Sequence, residues 1–127
     1  SWGQVAAFDP IGMMAKGMPM SWVLRLVLLG THERLDAQKA LQLGLVTEVV
    51  PYERLMPRAH ELADLIKKNS PSAIMASKRA IWHALEVGYT EAQQYGWELL
   101  TKQWHHPDHL EGIKAFMEKR PPNWLPG

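Results

Sequence analysis

At 127 residues, 46% of them hydrophobic and 21% charged, the chain is long enough to bury a modest core as one globular domain and too apolar to remain disordered. A net charge of +1 gives no general reason to expect a nucleic acid or an acidic surface as partner, so any anion site must be local. The absence of cysteine excludes a disulfide scaffold, a thiolate nucleophile and a Cys-ligated metal, and fits a reducing compartment, the cytoplasm or an organelle matrix.

The opening residues, SWGQVAAFDP, lack both the basic n-region and the apolar h-region of a secretory signal and read as a chain that starts inside a protein. Asp9 before Pro10 suits a helix cap followed by its first residue, and MMAKGMPM, broken by Gly17 and Pro19, reads as a loop or short turns. Ser21 to Leu29 is apolar almost all round and closes on Gly30, so a buried helix is expected there. Its apolar run from Trp22 is interrupted by Arg25 and falls far short of the ~20 residues of a membrane span. No membrane segment is expected. Asp36 then caps a short helix ending at Gly44, and Leu45 to Val50 is a β-branched run stopped by Pro51, which predicts one short strand near Val46 to Val50. A lone strand cannot satisfy its own backbone groups, so its partner must lie outside this segment or it must sit at an edge.

From Tyr52 onward the pattern is helical. Leu55, Ala59, Leu62, Ala63 and Ile66 recur at the spacing of one helix face, with Pro57 in the first turn. Ser70 and Pro71 start the next helix, whose stripe of Ile74, Ile81 and Leu85 admits the small Ser77 and ends at Gly88. Thr90 with Gln93 forms a capping box for a helix running to about His105, and Asp108 with Glu111 repeats that device before the last helix.

These residues bring a family into view. The segments LLGTHERLDAQKALQLGLVTEVVP, PSAIMASKRAI and HLEGIKAFMEKRPPNW follow one another in the order and at the approximate spacing of the C-terminal part of the enoyl-CoA hydratase/isomerase (crotonase) family, which the chain resembles over almost its whole length. The most telling of these words is EGIKAFMEKR. The resemblance implies a mainly α fold: residues 1–51 as the end of a crotonase core, with acyl-pocket loop, helices and the short strand, and residues 52–127 as a helical oligomerisation segment, without an independent domain boundary between them. It also implies an acyl-CoA enzyme, a hydratase (lyase) or an isomerase of fatty acid metabolism. Its substrate would be a coenzyme A thioester and it would need no tightly bound cofactor.

In the family two backbone N–H groups stabilise the thioester oxyanion and carboxylates move protons at the α and β carbons. By register on Gly3 and Gly30, one catalytic acid would precede Ser1, and the position other members use, near Ala7, holds alanine here. The resemblance therefore puts the main catalytic groups upstream, with this chain alone inactive. It makes Phe116 a contact of the acyl or pantetheine region and Lys119 a partner of the anionic nucleotide end of CoA, often that of a neighbouring subunit in a trimer or dimer of trimers.

Other candidates are weighed against plainer roles. Asp9 is the only carboxylate in the stretch that would line the acyl pocket, hence a weak catalytic candidate, but a helix cap explains it as well. His105, His106, Asp108 and His109 have zinc-ligand chemistry, yet Pro107 breaks the helical register and Asp108 suits a cap, so no metal site is expected. The methionines around Gly17 and the tryptophans Trp82, Trp97 and Trp104 fit packing better than ligand stacking, and Lys67, Lys68, Lys78 and Arg79 fit a solvated face. Phe116 as plain core and Lys119 as surface charge is the competing view of that pair. A second functional class, a non-catalytic helical assembly module, stays open beside the enzyme.

Overall fold

A computed structural model of the chain describes residues 5, 6 and 8–126. It is mainly α: α1 (Phe8–Ala15), α2 (Met20–Leu29), α3 (Ala37–Gln42), α4 (Leu55–Lys67), α5 (Pro71–His83), α6 (Tyr89–Gln103) and α7 (Pro107–Glu118), with short 3-10 turns at Gly30–His32 and Tyr52–Arg54. The chain forms two compact units, Ser1–Leu55 and Met56–Gly127.

In the first unit α1 packs against α2. The first helix starts at Phe8, so Asp9 lies inside its first turn and not at the cap, where its negative charge faces the positive end of the helix dipole. Helix α1 also runs through Met13 and Met14 to Ala15, three of the eight residues expected to be a loop, because the breakers Gly17 and Pro19 come only after them. The turn comes at Gly17, whose φ of 84° suits glycine, and Met18 after it is buried. Helix α2 ends as the sequence suggests, Gly30 taking a φ of 53° and donating its N–H to Leu26 O. It is not a buried helix within this unit. Only Val23 is buried, while Leu28 is 78% exposed, because α1 covers a single side.

Trp22 is flanked by two cations, Lys39 Nζ 5.1 Å and the Arg25 guanidinium 5.7 Å from its ring, and Arg25 also pairs with Glu33 at 2.7 Å. Asp36 caps α3 as read: its carboxylate accepts from Lys39 N at 2.7 Å, and Gly44 closes the turn with a φ of 72°. The strand near Val46 to Val50 does not form. No strand occurs among the described residues, and this segment is bend and irregular backbone, since nothing described offers it a ladder of N–H and C=O groups.

In the second unit Ser70 and Pro71 begin α5 as expected, the Ser70 hydroxyl accepting from Ala73 N at 3.3 Å. Helix α5 packs against α6, and His83 of α5 meets Tyr95 of α6 in a tilted ring contact with centroids 4.3 Å apart. Two capping boxes are corrected. Helix α6 begins at Tyr89 with Gly88 as its cap and no side-chain cap bond, so Thr90 is already helical. Helix α7 begins at Pro107 with His106 as cap, its ring Nδ1 accepting from Asp108 N at 3.2 Å. Proline at the first helical position fixes that start, which leaves Asp108 and Glu111 free for longer-range bonds.

Candidate functional site

The residues that the family resemblance singles out at the chain's end lie on and just after α7. Its last turn stops at Lys119, which adopts a left-handed conformation (φ 53°, ψ 38°) although it is not glycine. That conformation costs about 1–2 kcal/mol for a residue with a Cβ and needs local support. The support is visible. Arg120 N donates to Ala115 O at 3.1 Å, closing the helix end. The Arg120 guanidinium grips both oxygens of Glu111 at 2.6 and 3.0 Å and also reaches Glu118 at 2.7 Å. Glu111 accepts in addition from Asn123 N at 2.7 Å, so the tail folds back along the helix that precedes it.

The electrostatics follow from these bonds. Arg120 first, then Asn123 N–H, hold the Glu111 carboxyl down to about 2, and the two carboxylates raise Arg120 further above its already high range. The clamp therefore stays charged at any ordinary pH. Farther along the tail, Trp124 donates its indole N–H to Lys68 O at 2.8 Å and lies against Gly112, where a Cβ would come within 3.3 Å of the ring.

A second set of bonds ties the start of α7 to the start of α5. Asp108 is 3% exposed and accepts from the Ser70 hydroxyl, from Ser72 at 3.3 Å and from Leu125 N at 3.0 Å. Burial pushes its carboxyl up, but Leu125 N–H, the Ser70 hydroxyl, nearby His106 and the Ser72 hydroxyl together hold it below its usual value. Gln103 completes the set by donating to Ser72 at 2.8 Å. The acid that looked like a cap is thus the buried hub joining α5, α7 and the tail.

Held at both ends, α7 presents an apolar outer face. Phe116 is 86% exposed, with Leu110, Ile113 and Met117 exposed beside it. Phe116 is not core in this chain. It stands on a rigid helix next to the exposed Lys119, an apolar contact and a cation brought side by side.

The remaining candidates are placed as follows. Asp9 is exposed and lines a hollow of about 200 Å³ in the first unit, with Pro10, Met13, Val23, Leu26 and Gly30 as its apolar wall. Gly3 and Ala7, which set the family register for the catalytic acid, lie outside the described residues. The histidine cluster does not converge: His105 Nδ1 lies 3.0 Å from Thr101 O, His106 Nδ1 is engaged by Asp108 N, and no group of metal-binding residues occurs among the described residues. Sequence reasoning passed over Ser72, Gln103 and Arg120, whose roles depend on partners up to 36 residues away. Only the arginine had a local signal, its place in EKRPP at the helix end.

With this arrangement in hand, comparison with known proteins is decisive on family. The family model for enoyl-CoA hydratase/isomerase matches residues 1–126. The chain belongs to that family. A carnitinyl-CoA dehydratase from Proteus mirabilis is 38% identical to this crotonase-family chain over 102 residues, covering 76% of it and 39% of the relative. A Salmonella paratyphi A protein of the same name is 35% identical over 115 residues, covering 87% of this chain and 43% of its own length. Among solved structures, an enoyl-CoA hydratase/isomerase from Mycobacterium paratuberculosis superposes with a TM-score of 0.92 at 39% identity, covering 97% of this chain and 48% of that one. An enoyl-CoA hydratase from Mycobacterium tuberculosis superposes with a TM-score of 0.86 at 28% identity, covering 97% and 48%. The chain spans less than half the length of each of these relatives. No helix among the described residues is long and apolar enough to cross a membrane.

Proposed function

We propose that this chain is the C-terminal portion of an acyl-CoA enzyme, an enoyl-CoA hydratase or isomerase, whose oxyanion hole and main catalytic acids are contributed by sequence upstream of it. The observation that carries this reading is the match of nearly the whole chain to less than half of each relative. Within it, α7 supplies binding rather than chemistry. Phe116 meets the acyl or pantetheine part of a CoA thioester, and Lys119 the phosphate-bearing end, in an oligomer of the complete protein. Asp9, partly solvated and surrounded by apolar groups, is the weaker candidate for proton transfer. A soluble compartment, cytoplasm or organelle matrix, suits a CoA thioester substrate.

A crotonyl-CoA absorbance assay tests the proposal, run on the 127-residue chain and on the full product of the gene that carries it. Turnover by the full product and none by the chain alone is expected. Turnover by the chain well above the buffer rate, abolished by Asp9→Ala, would move the chemistry into this segment. The exposed apolar face of α7 also favours the assembly-module reading, which predicts a full product that assembles normally and turns over no CoA thioester.

A further inference from the structure

The groove between α5 and α6 borders the Asp108 cluster, with Ser72, Gln103 and His106 in its wall, but includes neither Phe116 nor Lys119. Two adjoining hollows, about 410 and about 480 Å³, share Met75 and Arg79 in their walls. The first is lined by Arg79 from α5 and Lys102 from α6, with His105 and His106 at its end and no carboxylate in its wall. Arg79 and Lys102 have no ion-pair partner among the described residues, whereas Arg25, Lys67 and Arg120 are each matched to an acid. The nearest buried acid, Asp108, is turned toward the Ser70 and Ser72 hydroxyls and Leu125 N–H. Two unmatched cations on facing helices of one concave surface focus a positive potential there. The second hollow adds aromatic surfaces, Trp82 at 52% exposure and Tyr95 in tilted contact with His83, with Glu86 as its single acid.

We propose that this groove binds a small aryl phosphate, its phosphate between Arg79 and Lys102 and its ring against Trp82 and Tyr95. A phosphate monoester carries a charge near −2 at neutral pH, which two fixed cations match better than they match a carboxylate, and a guanidinium can meet two of its oxygens at once. The ring half rests on the preference of planar π-systems for offset or edge contacts with aromatic side chains. The ligand contacts, Arg79 and Trp82 of α5 with Tyr95 and Lys102 of α6, include neither Phe116 nor Lys119, so failure of the inference leaves the acyl-CoA reading of α7 untouched.

The test is an NMR titration of the full chain with phenyl phosphate, and separately with inorganic phosphate, phenol and benzoate. The Trp82 indole and Arg79 side-chain resonances should shift, saturating at a concentration at least tenfold lower for phenyl phosphate than for any of the other three. Arg79→Gln combined with Lys102→Gln should weaken binding at least tenfold with helical circular dichroism unchanged, since both side chains are exposed. Trp82→Ala should weaken phenyl phosphate and leave inorganic phosphate as before. Phenyl phosphate saturating no earlier than phosphate, phenol or benzoate, or shifts centred on Phe116 and Lys119, would overturn the site.

Discussion

Asp108 shows how one residue decides between a local and a tertiary role. Its position just after His106-Pro107 invites a capping assignment, yet its side chain is almost fully buried and faces three donors from other elements. Asp108→Asn keeps one carbonyl oxygen but turns an NH₂ group toward hydroxyl and amide donors. It should cost about 1–3 kcal/mol in urea unfolding, the range for leaving buried polar groups unmatched. Ser70→Ala should cost a similar amount, because it removes a helix cap and a bond to a charged acceptor together. The pH dependence has a definite sign. Asp108 and Glu111 both bind protons less readily folded than unfolded, so the stability they contribute is complete above the unfolded range and is lost as protons bind in the native state. For Glu111 that window runs from about 4.5 down to about 2. The melting temperature should fall through this window, and Glu111→Gln should flatten the fall while loosening the tail at neutral pH.

At the scale of the element, what was legible is what short-range chemistry decides. Asp36 is legible as a cap and Ser70 with Pro71 as a helix start, and each accepts from the backbone N–H three residues on, a contact the sequence spacing contains in full. Thr90 has the same spacing to Gln93, but the chain enters α6 two residues earlier, with Gly88 as its cap, and a helical residue cannot also cap. The strand failed for the opposite reason: β-branched residues state a preference, and only a neighbouring strand can realise it. Phe116 and Lys119 could be placed on the last helix and its turn from sequence, while the Glu111–Arg120 clamp and the Asp108 hub that hold them there could not, since nothing local distinguishes a tether from a solvated charge. Two comparisons follow. Thr90→Ala should change stability by less than about 0.5 kcal/mol, as expected for a surface site without a special role. Gly112→Ala should stay within about 1 kcal/mol of wild type, because the gain in helix propensity offsets a small shift of the Trp124 ring. Gly112→Leu leaves that ring no room and should detach the tail, read as loss of protection of the Trp124 indole N–H from hydrogen exchange.

For the whole molecule the governing quantity is surface that the chain leaves uncovered. Its accessible area is 10618 Å², whereas two compact units of these lengths, even taken separately, would expose about 8,300 Å². Hydrophobic burial is correspondingly thin, with Met18, Val23 and Ala115 the buried apolar residues among those described, while Leu28, Ile81, Phe116 and Met117 are each more than two-thirds exposed. Hydrophobic burial is the main favourable term in folding, so such a chain lacks much of what holds an isolated domain together. The excess, roughly 2,000 Å², exceeds the ~1,600 Å² that a standard protein interface buries in total. Each large side chain buried contributes about 1.5–3 kcal/mol, so several per subunit can offset the ~4–15 kcal/mol entropic cost of association. The expectation is that the chain self-associates at micromolar concentration, and that Phe116→Ser with Met117→Ser shifts it toward smaller species by removing part of the α7 face. Light scattering coupled to size exclusion reads both effects directly. A compact monomer that persists over a hundredfold dilution and unfolds cooperatively would mean that these faces need no cover, and that the three buried side chains and the Asp108 and Glu111 tethers suffice to hold the fold.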